Sequence, residues 1–180
     1  MANGTLKVSN IETSSGSGTI TIGQSGETIA LGSGASQTLA INTPAFFVTK
    51  TSTQSIADST FTDVIFETEE IDTDSAFSST TFTVPSGKAG KYFTFGQIRF
   101  ETSTDFSYTL ARIVHNSTNV VSAWDRNLDY TTVNCQAMVT LAESDTLKLQ
   151  CRQQSGGALN LGANDQGHVT YFGAYKIIGA

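Results

Sequence analysis

The sequence predicts an all-β chain: a jelly-roll sandwich head over residues 44–180, preceded by a short β-repeat stalk over residues 1–43. Three observations carry this. From Pro44 onward, aromatic and β-branched residues recur at strand spacing, and no segment keeps helical i, i+3, i+4, i+7 spacing for three turns. Charged residues make up 14% of the chain against about 25% in an ordinary domain, and Thr, Ser and Gly fill the gap. Thr favours strands, while Gly and Ser favour turns. Every Phe, Tyr and Trp lies after Thr43, so only the back segment has the large apolar side chains from which a core is built.

In the head, the expected strands are Phe46–Lys50, Phe61–Phe66, Thr81–Val84, Lys91–Phe100, Ser107–His115, Val120–Trp124, Cys135–Leu141, Leu147–Gln153 and Val169–Ile178. Pro85-Ser86-Gly87, Glu143-Ser144-Asp145 and Ser155-Gly156-Gly157 supply turns between them. Eight to ten strands in about 137 residues suit two packed sheets.

The front segment holds paired apolar residues at Leu6/Val8, Ile20/Ile22, Ile29/Leu31 and Leu39/Ile41, with Ser/Gly-rich turns between. Each pair is a very short strand with two residues facing one way. A single copy buries almost nothing, whereas three copies around one axis would enclose Ile20, Ile22, Ile29, Leu31, Leu39 and Ile41 as a stalk core.

Net charge is −6 with ten scattered Lys and Arg residues, which argues against nucleic acid as a partner. No apolar run approaches the roughly 20 residues of a membrane-spanning helix. Met1-Ala2-Asn3-Gly4-Thr5 lacks the basic start and apolar run of a signal peptide, so release by lysis within an assembled particle is the expected route outward. Asn3-Gly4-Thr5 and Asn116-Ser117-Thr118 match the glycosylation triplet and, without an export signal, are read as chance.

Cys135 and Cys151 flank the turn Ala142-Glu143-Ser144-Asp145. A hairpin there would set Leu141 against Leu147 and Ala137 against Cys151, with Cys135 diagonal to Cys151 at roughly 7–8 Å, too far to bridge easily. Two buried free thiols are expected. His115 and His168 stand in separate strands or strand ends, with no zinc-protease pair or nucleophile elbow, so no enzyme activity and no cofactor are expected. Glu67, Glu69, Glu70, Asp72 and Asp74 crowd one stretch but lack the glycine and glutamate spacing of a calcium loop, and read as a solvated acidic loop with no metal.

Several markers from Pro44 onward resemble the globular head of complement component C1q, a family that shares its jelly roll with the tumour-necrosis-factor superfamily. They are Pro44-Ala45-Phe46, the spacing of Phe66, Asp72 and Phe77, then Phe82, Gly90-Lys91-Tyr92-Phe93, the segment Val139–Leu147 and the closing Thr170-Tyr171-Phe172-Gly173-Ala174-Tyr175. The chain departs from the pattern in a longer gap between Phe82 and Gly90, and in Thr94 and Gly96 where aromatics are expected. Separately, Gly4-Thr5-Leu6-Lys7-Val8-Ser9-Asn10-Ile11 and the Gly18-Thr19-Ile20-Thr21-Ile22 repeat look like the N-termini of structural proteins from marine tailed phages. These resemblances imply a homotrimeric virion protein, a tail fibre or capsid-surface fibre. It would be anchored to other virion proteins by its N-terminal segment and displayed on the particle surface for adhesion or receptor binding. A capsid decoration protein and a secreted C1q-like lectin are the alternatives.

Tyr92-Phe93-Thr94-Phe95 and Tyr171-Phe172-Gly173-Ala174-Tyr175 carry aromatics on both strand faces, which would leave one face in water in a lone sandwich. Tyr92, Phe93, Phe95, Tyr171, Phe172 and Tyr175 are therefore the expected trimer interface. Trp124 and Arg126, with Tyr130 and Tyr108, form the expected receptor patch for a host surface glycan or protein, since aromatics and Arg are enriched at interfaces.

Overall fold

The computed structural model describes residue 11 and residues 43–100, 107–126, 132–162 and 169–177. The stalk-core positions Ile20, Ile22, Ile29, Leu31, Leu39 and Ile41 lie outside these residues, as do Tyr130 and His168. The head lies within the unit Ala40–Ala180.

Every regular element among the described residues is a strand. In chain order they are β1 (Ala45–Thr49), β2 (Gln54–Ile56), β3 (Thr62–Asp63), β4 (Thr68–Asp72), β5 (Phe77–Ser78), β6 (Thr81–Thr83) and β7 (Gly90–Arg99). Then follow β8 (Tyr108–His115), β9 (Thr118–Asp125), β10 (Thr132–Leu141), β11 (Thr146–Gln154), β12 (Leu159–Leu161) and β13 (Tyr171–Lys176). The first sheet runs β10-β7-β13-β1-β4. The second runs β5-β6-β11-β8-β9, with β3 also paired to β11, and β12 pairs β2 in a small ladder. All the pairings between named strands are antiparallel, and the all-β jelly-roll sandwich expected from the sequence is the fold observed.

One expected pairing is corrected. β10 and β11 do not form a hairpin: β10 pairs β7 in the first sheet, with Leu141 opposite Gly90, while β11 pairs β8 and β6 in the second. The turn between them is an arch from one layer to the other. Asp145 Oδ2 accepts from Ala142 N at 2.8 Å, Ser144 sits at φ 68°, and Val84 pairs with the turn backbone through Ser144 N and Asp145 O. Cys135 and Cys151 consequently belong to opposite sheets. Both are buried free thiols, as expected, although the diagonal-neighbour geometry is not the reason. Burial pushes both thiols up to about 12, so neither is a nucleophile at neutral pH.

The core is an aromatic stack that ties the sheets together. Phe46 of β1 lies near-parallel to Phe82 of β6, with centroids 4.7 Å apart, and to Phe77 of β5 at 5.2 Å; it meets Phe172 of β13 edge-on at 5.1 Å. Asp72 gives the Phe66–Asp72–Phe77 spacing a structural role. Its two carboxylate oxygens accept from Ala76 N at 3.0 Å and Phe77 N at 2.9 Å, closing the turn that drops Phe77 into the core. Tyr92 buries its ring and donates from its hydroxyl to Lys88 O at 2.6 Å. The departures at Thr94 and Gly96 also face inward: Thr94 Oγ1 donates to Gly173 O at 3.2 Å, and a Cβ on Gly96 would stand 2.7 Å from Leu149 Cδ1. Leu149 fills the space that a larger side chain at 96 would need.

The acidic stretch is a correction of a second kind. Thr68–Asp72 is strand β4 at the edge of the first sheet, where Glu70 Oε1 accepts from Thr49 Oγ1 at 3.3 Å, Asp72 closes the turn described above and Glu69 is exposed. Among the described residues no three His, Cys, Asp or Glu side chains cluster as a metal site. Glu67 caps the buried Lys50, whose Nζ donates to Glu67 Oε1 at 3.0 Å and to Ile65 O at 2.9 Å. Glu67 also accepts from Ser52 Oγ at 2.7 Å and Thr51 N at 2.8 Å. Burial alone would raise the Glu67 carboxyl, but the bonds from Ser52, Thr51 and Lys50 outweigh it and hold the group below its ordinary value. A carboxyl lowered on folding stabilises above its unfolded pKa and loses that contribution as pH falls through the folded one. Denaturant melts should therefore show the head weakening below about pH 4.5. Glu67→Gln should cost about 2 kcal/mol at pH 7, because it leaves the Lys50 ammonium buried with only a carbonyl for company. That difference should shrink toward pH 3.

Candidate functional site

Strand alternation sends Phe46 inward and its neighbour Phe47 outward, and the same rule sorts β7 and β13. Phe93 and Phe95 of β7, Tyr171 and Tyr175 of β13 and Phe47 of β1 point away from the core onto the outer face of the first sheet. Phe47 lies 6.2 Å from Phe95 and 5.7 Å from Tyr171, centroid to centroid. Phe93 lies 5.9 Å from Phe95 and 5.6 Å from Tyr175, and Phe95 stands edge-on to Tyr171 at 6.2 Å. The register continues the face across all five strands: Gln136, Phe95, Gly173, Phe47 and Ile71 form one row, and Met138, Phe93 and Tyr175 the next. Met138 is 75% exposed and Ile71 51%, so exposed apolar side chains reach both edge strands of the face, beside the polar Asn134 and Gln136 of β10.

Gly173 makes the arrangement possible. A Cβ there would stand 2.5 Å from Phe95 Cζ, so the bare backbone is what lets the Phe95 ring lie across β13. Beside the rings, Tyr171 donates from its hydroxyl to Gln97 Oε1 at 3.2 Å, and Gln97 Nε2 donates to Val169 O at 2.8 Å. A shallow concavity of about 290 Å³ opens between Phe93, Phe95, Tyr171, Asn134 and Gln136.

Two of the six residues expected at the interface are corrected. Tyr92 and Phe172 have no exposed surface in the single chain and belong to its core. They fill the alternate positions between outward neighbours, which places them on the opposite face. Sequence reasoning also missed Phe47, Ile71 and Met138. Phe47 was legible from alternation with Phe46, whereas Ile71 sat in what read as a loop.

On the opposite side of the sandwich, the outer face of the second sheet carries the expected receptor patch. Trp124 of β9 is 61% exposed, and the Arg126 guanidinium lies 5.2 Å from its ring. With Tyr108 and Leu110 of β8 these residues line a groove of about 250 Å³. His115, at the end of β8, bonds Asp145 at 2.8 Å, and Asn116 joins the same carboxylate through Nδ2 at 2.9 Å. The Asn116 amide oxygen meanwhile accepts from Thr146 N at 2.9 Å, so this residue ties the β8–β9 turn to the arch. The hydrogen bond from Asn116, the Ala142 N–H and His115 together hold the Asp145 carboxyl near about 2, against a small opposing effect of burial.

No protein-family model matches the sequence, and no curated protein does. Solved structures do match the fold. The globular domain of zebrafish complement 1qA protein aligns at a TM-score of 0.53 and 20% identity, over 76% of this chain and 99% of that one. The fold is that of the C1q and tumour-necrosis-factor heads. Murine APRIL at pH 8.0 aligns at 0.57 and 14% identity over 74% of this chain and 98% of its own. Eiger TNF from S. frugiperda aligns at 0.55 and 13% identity over 76% and 93%.

Proposed function

We propose that this C1q/TNF-like chain is a homotrimeric structural protein of a virus particle, a tail fibre or capsid-surface fibre whose head faces outward for adhesion. The observation that carries the trimer is the outer face of the first sheet, where Phe47, Phe93, Phe95, Tyr171 and Tyr175 form a continuous aromatic surface outside the core. Apolar patches of this extent mark association surfaces. A three-fold axis buries the same face on each copy and closes the assembly. The edges point the same way. Edge strand β4 carries Glu69, Glu70 and Asp72, charges that discourage pairing with another chain, whereas edge strand β10 has none across ten residues.

The virion reading is supported by the likeness of the front segment to phage structural N-termini, through which the chain would be anchored among other virion proteins. Three heads on one rigid axis convert weak single contacts into avidity, which is the mechanism proposed for adhesion. The test is immuno-electron microscopy of particles purified from the lysate of producing cells. Antibody against residues 44–180 should label tail tips or the capsid surface at three-fold sites. Labelling confined to particle-free debris would overturn the virion assignment.

A further inference from the structure

We propose that the outer face of the second sheet binds an acidic polysaccharide, a chain of hexose rings carrying carboxylates. This rests on the adhesion reading above and names the ligand chemistry of its exposed side. The face holds three of the chain's four arginines, and each lies against an aromatic ring. The Arg112 guanidinium sits 3.4 Å from the Phe61 centroid, Arg152 sits 5.3 Å from Phe61 and 5.6 Å from Tyr108, and Arg126 sits 5.2 Å from Trp124. Register places Trp124, Leu110 and Arg152 in one row across β9, β8 and β11, so Trp124 and Arg152 stand roughly 10 Å apart over two strand spacings.

The arginines differ in how far they are committed. Arg112 donates from Nε to Gln150 Oε1 at 2.8 Å, and Gln150 and Lys148 in turn bond Asp63 at 2.6 and 2.7 Å. Arg112 is thus part of the sheet's own network. Arg152 is held by ring contacts, and its buried Nε has no hydrogen-bond partner. Arg126 lies at the exposed lip of the groove beside the open face of Trp124. An aromatic face offers a platform for the C–H side of a sugar ring, and a guanidinium fork matches a carboxylate with two parallel hydrogen bonds. Asp125, whose Oδ1 accepts from Arg126 N at 2.7 Å, and Asp63 make the face a poor one for a densely charged phosphate chain. With a net charge of −6 the protein as a whole repels polyanions, so attraction has to come from this local arrangement.

Trp124 is the chain's single tryptophan, and its emission therefore reports on the site directly. The full chain is titrated with a galacturonic acid hexamer and with its fully methyl-esterified form, with light scattering on the same samples. The acid should shift Trp124 emission saturably, and the ester should bind about tenfold or more weakly, because it lacks the charge-assisted bonds. Arg126→Gln should bring the acid to the level of the ester, and Trp124→Ala, followed by calorimetry, should lose binding of the acid. Absence of a saturable change, equal affinity for acid and ester, or unaltered binding in Trp124→Ala would each overturn the proposal. The hexamer reports on one site per chain. A monomer that binds the acid refutes the trimer alone, and a trimer that does not bind it refutes the saccharide alone.

Discussion

Phe95→Asp is expected to convert the proposed trimer to a monomer while leaving the head folded. Phe95 lies at the centre of the outer aromatic face, in contact with Phe47, Phe93 and Tyr171, and none of its ring contacts is with the inner stack. A carboxylate placed there is solvated in the single chain and stripped of water in the assembly, at roughly 3 kcal/mol or more per copy. Three-fold symmetry repeats that cost three times. Sedimentation velocity should show the variant as a single slow species, while far-ultraviolet dichroism keeps its β signature. A variant that still sediments with the wild type would remove this face from the interface.

Phe46→Ala is expected to destabilise the head itself by about 4 kcal/mol, the ordinary cost of emptying a fully packed phenylalanine site. Phe46 is 2% exposed and touches Phe77, Phe82 and Phe172, so its loss opens a cavity at the point where both sheets meet. For a domain of this size the midpoint of thermal unfolding should fall by about 10–15 °C. Phe47→Ala, one residue on, should barely move the unfolding of a dissociated head but should weaken association. Scanning calorimetry of the two variants at low concentration separates them, and equal losses would mean that the inward and outward assignments are mistaken.

The alternation that distinguishes Phe46 from Phe47 is also what made most of the fold readable. Apolar side chains recur at alternate positions along β1, β10, β11 and β13, and these strands, with β7 and β8, each appear within a few residues of their expected places. β4 escaped because an edge strand paired on one side keeps its outward carboxylates in water, which looks like an acidic loop. β2, β5 and β12 span two or three residues each, too few for any period to register. Phe61–Phe66 failed in the opposite sense. Its apolar residues Val64 and Phe66 are buried, but only Thr62–Asp63 joins a ladder, because the Gln54 side chain takes Asp63 O and Ile65 N in place of a partner strand.

The β10–β11 arch was hidden for a deeper reason. Four turn residues between two alternating strands look identical whether the chain returns along its own sheet or crosses to the other. Only the long-range partners, Gly90 for Leu141 and His115 for Leu147, distinguish the two. The candidate interface was half legible for the same cause. Aromatic density along β7 and β13 was visible, but which of Tyr92, Phe93, Phe172 and Tyr175 faced outward depended on phase, and phase depends on which sheet face the core occupies.

The claim on which the rest depends is that the outer face of the first sheet is buried between copies of this chain. Multi-angle light scattering of the full chain over a hundredfold dilution tests it most directly. A constant mass of about 57 kDa, three times 19.1 kDa, is the expected result. A mass that stays at 19.1 kDa at every concentration would contradict it.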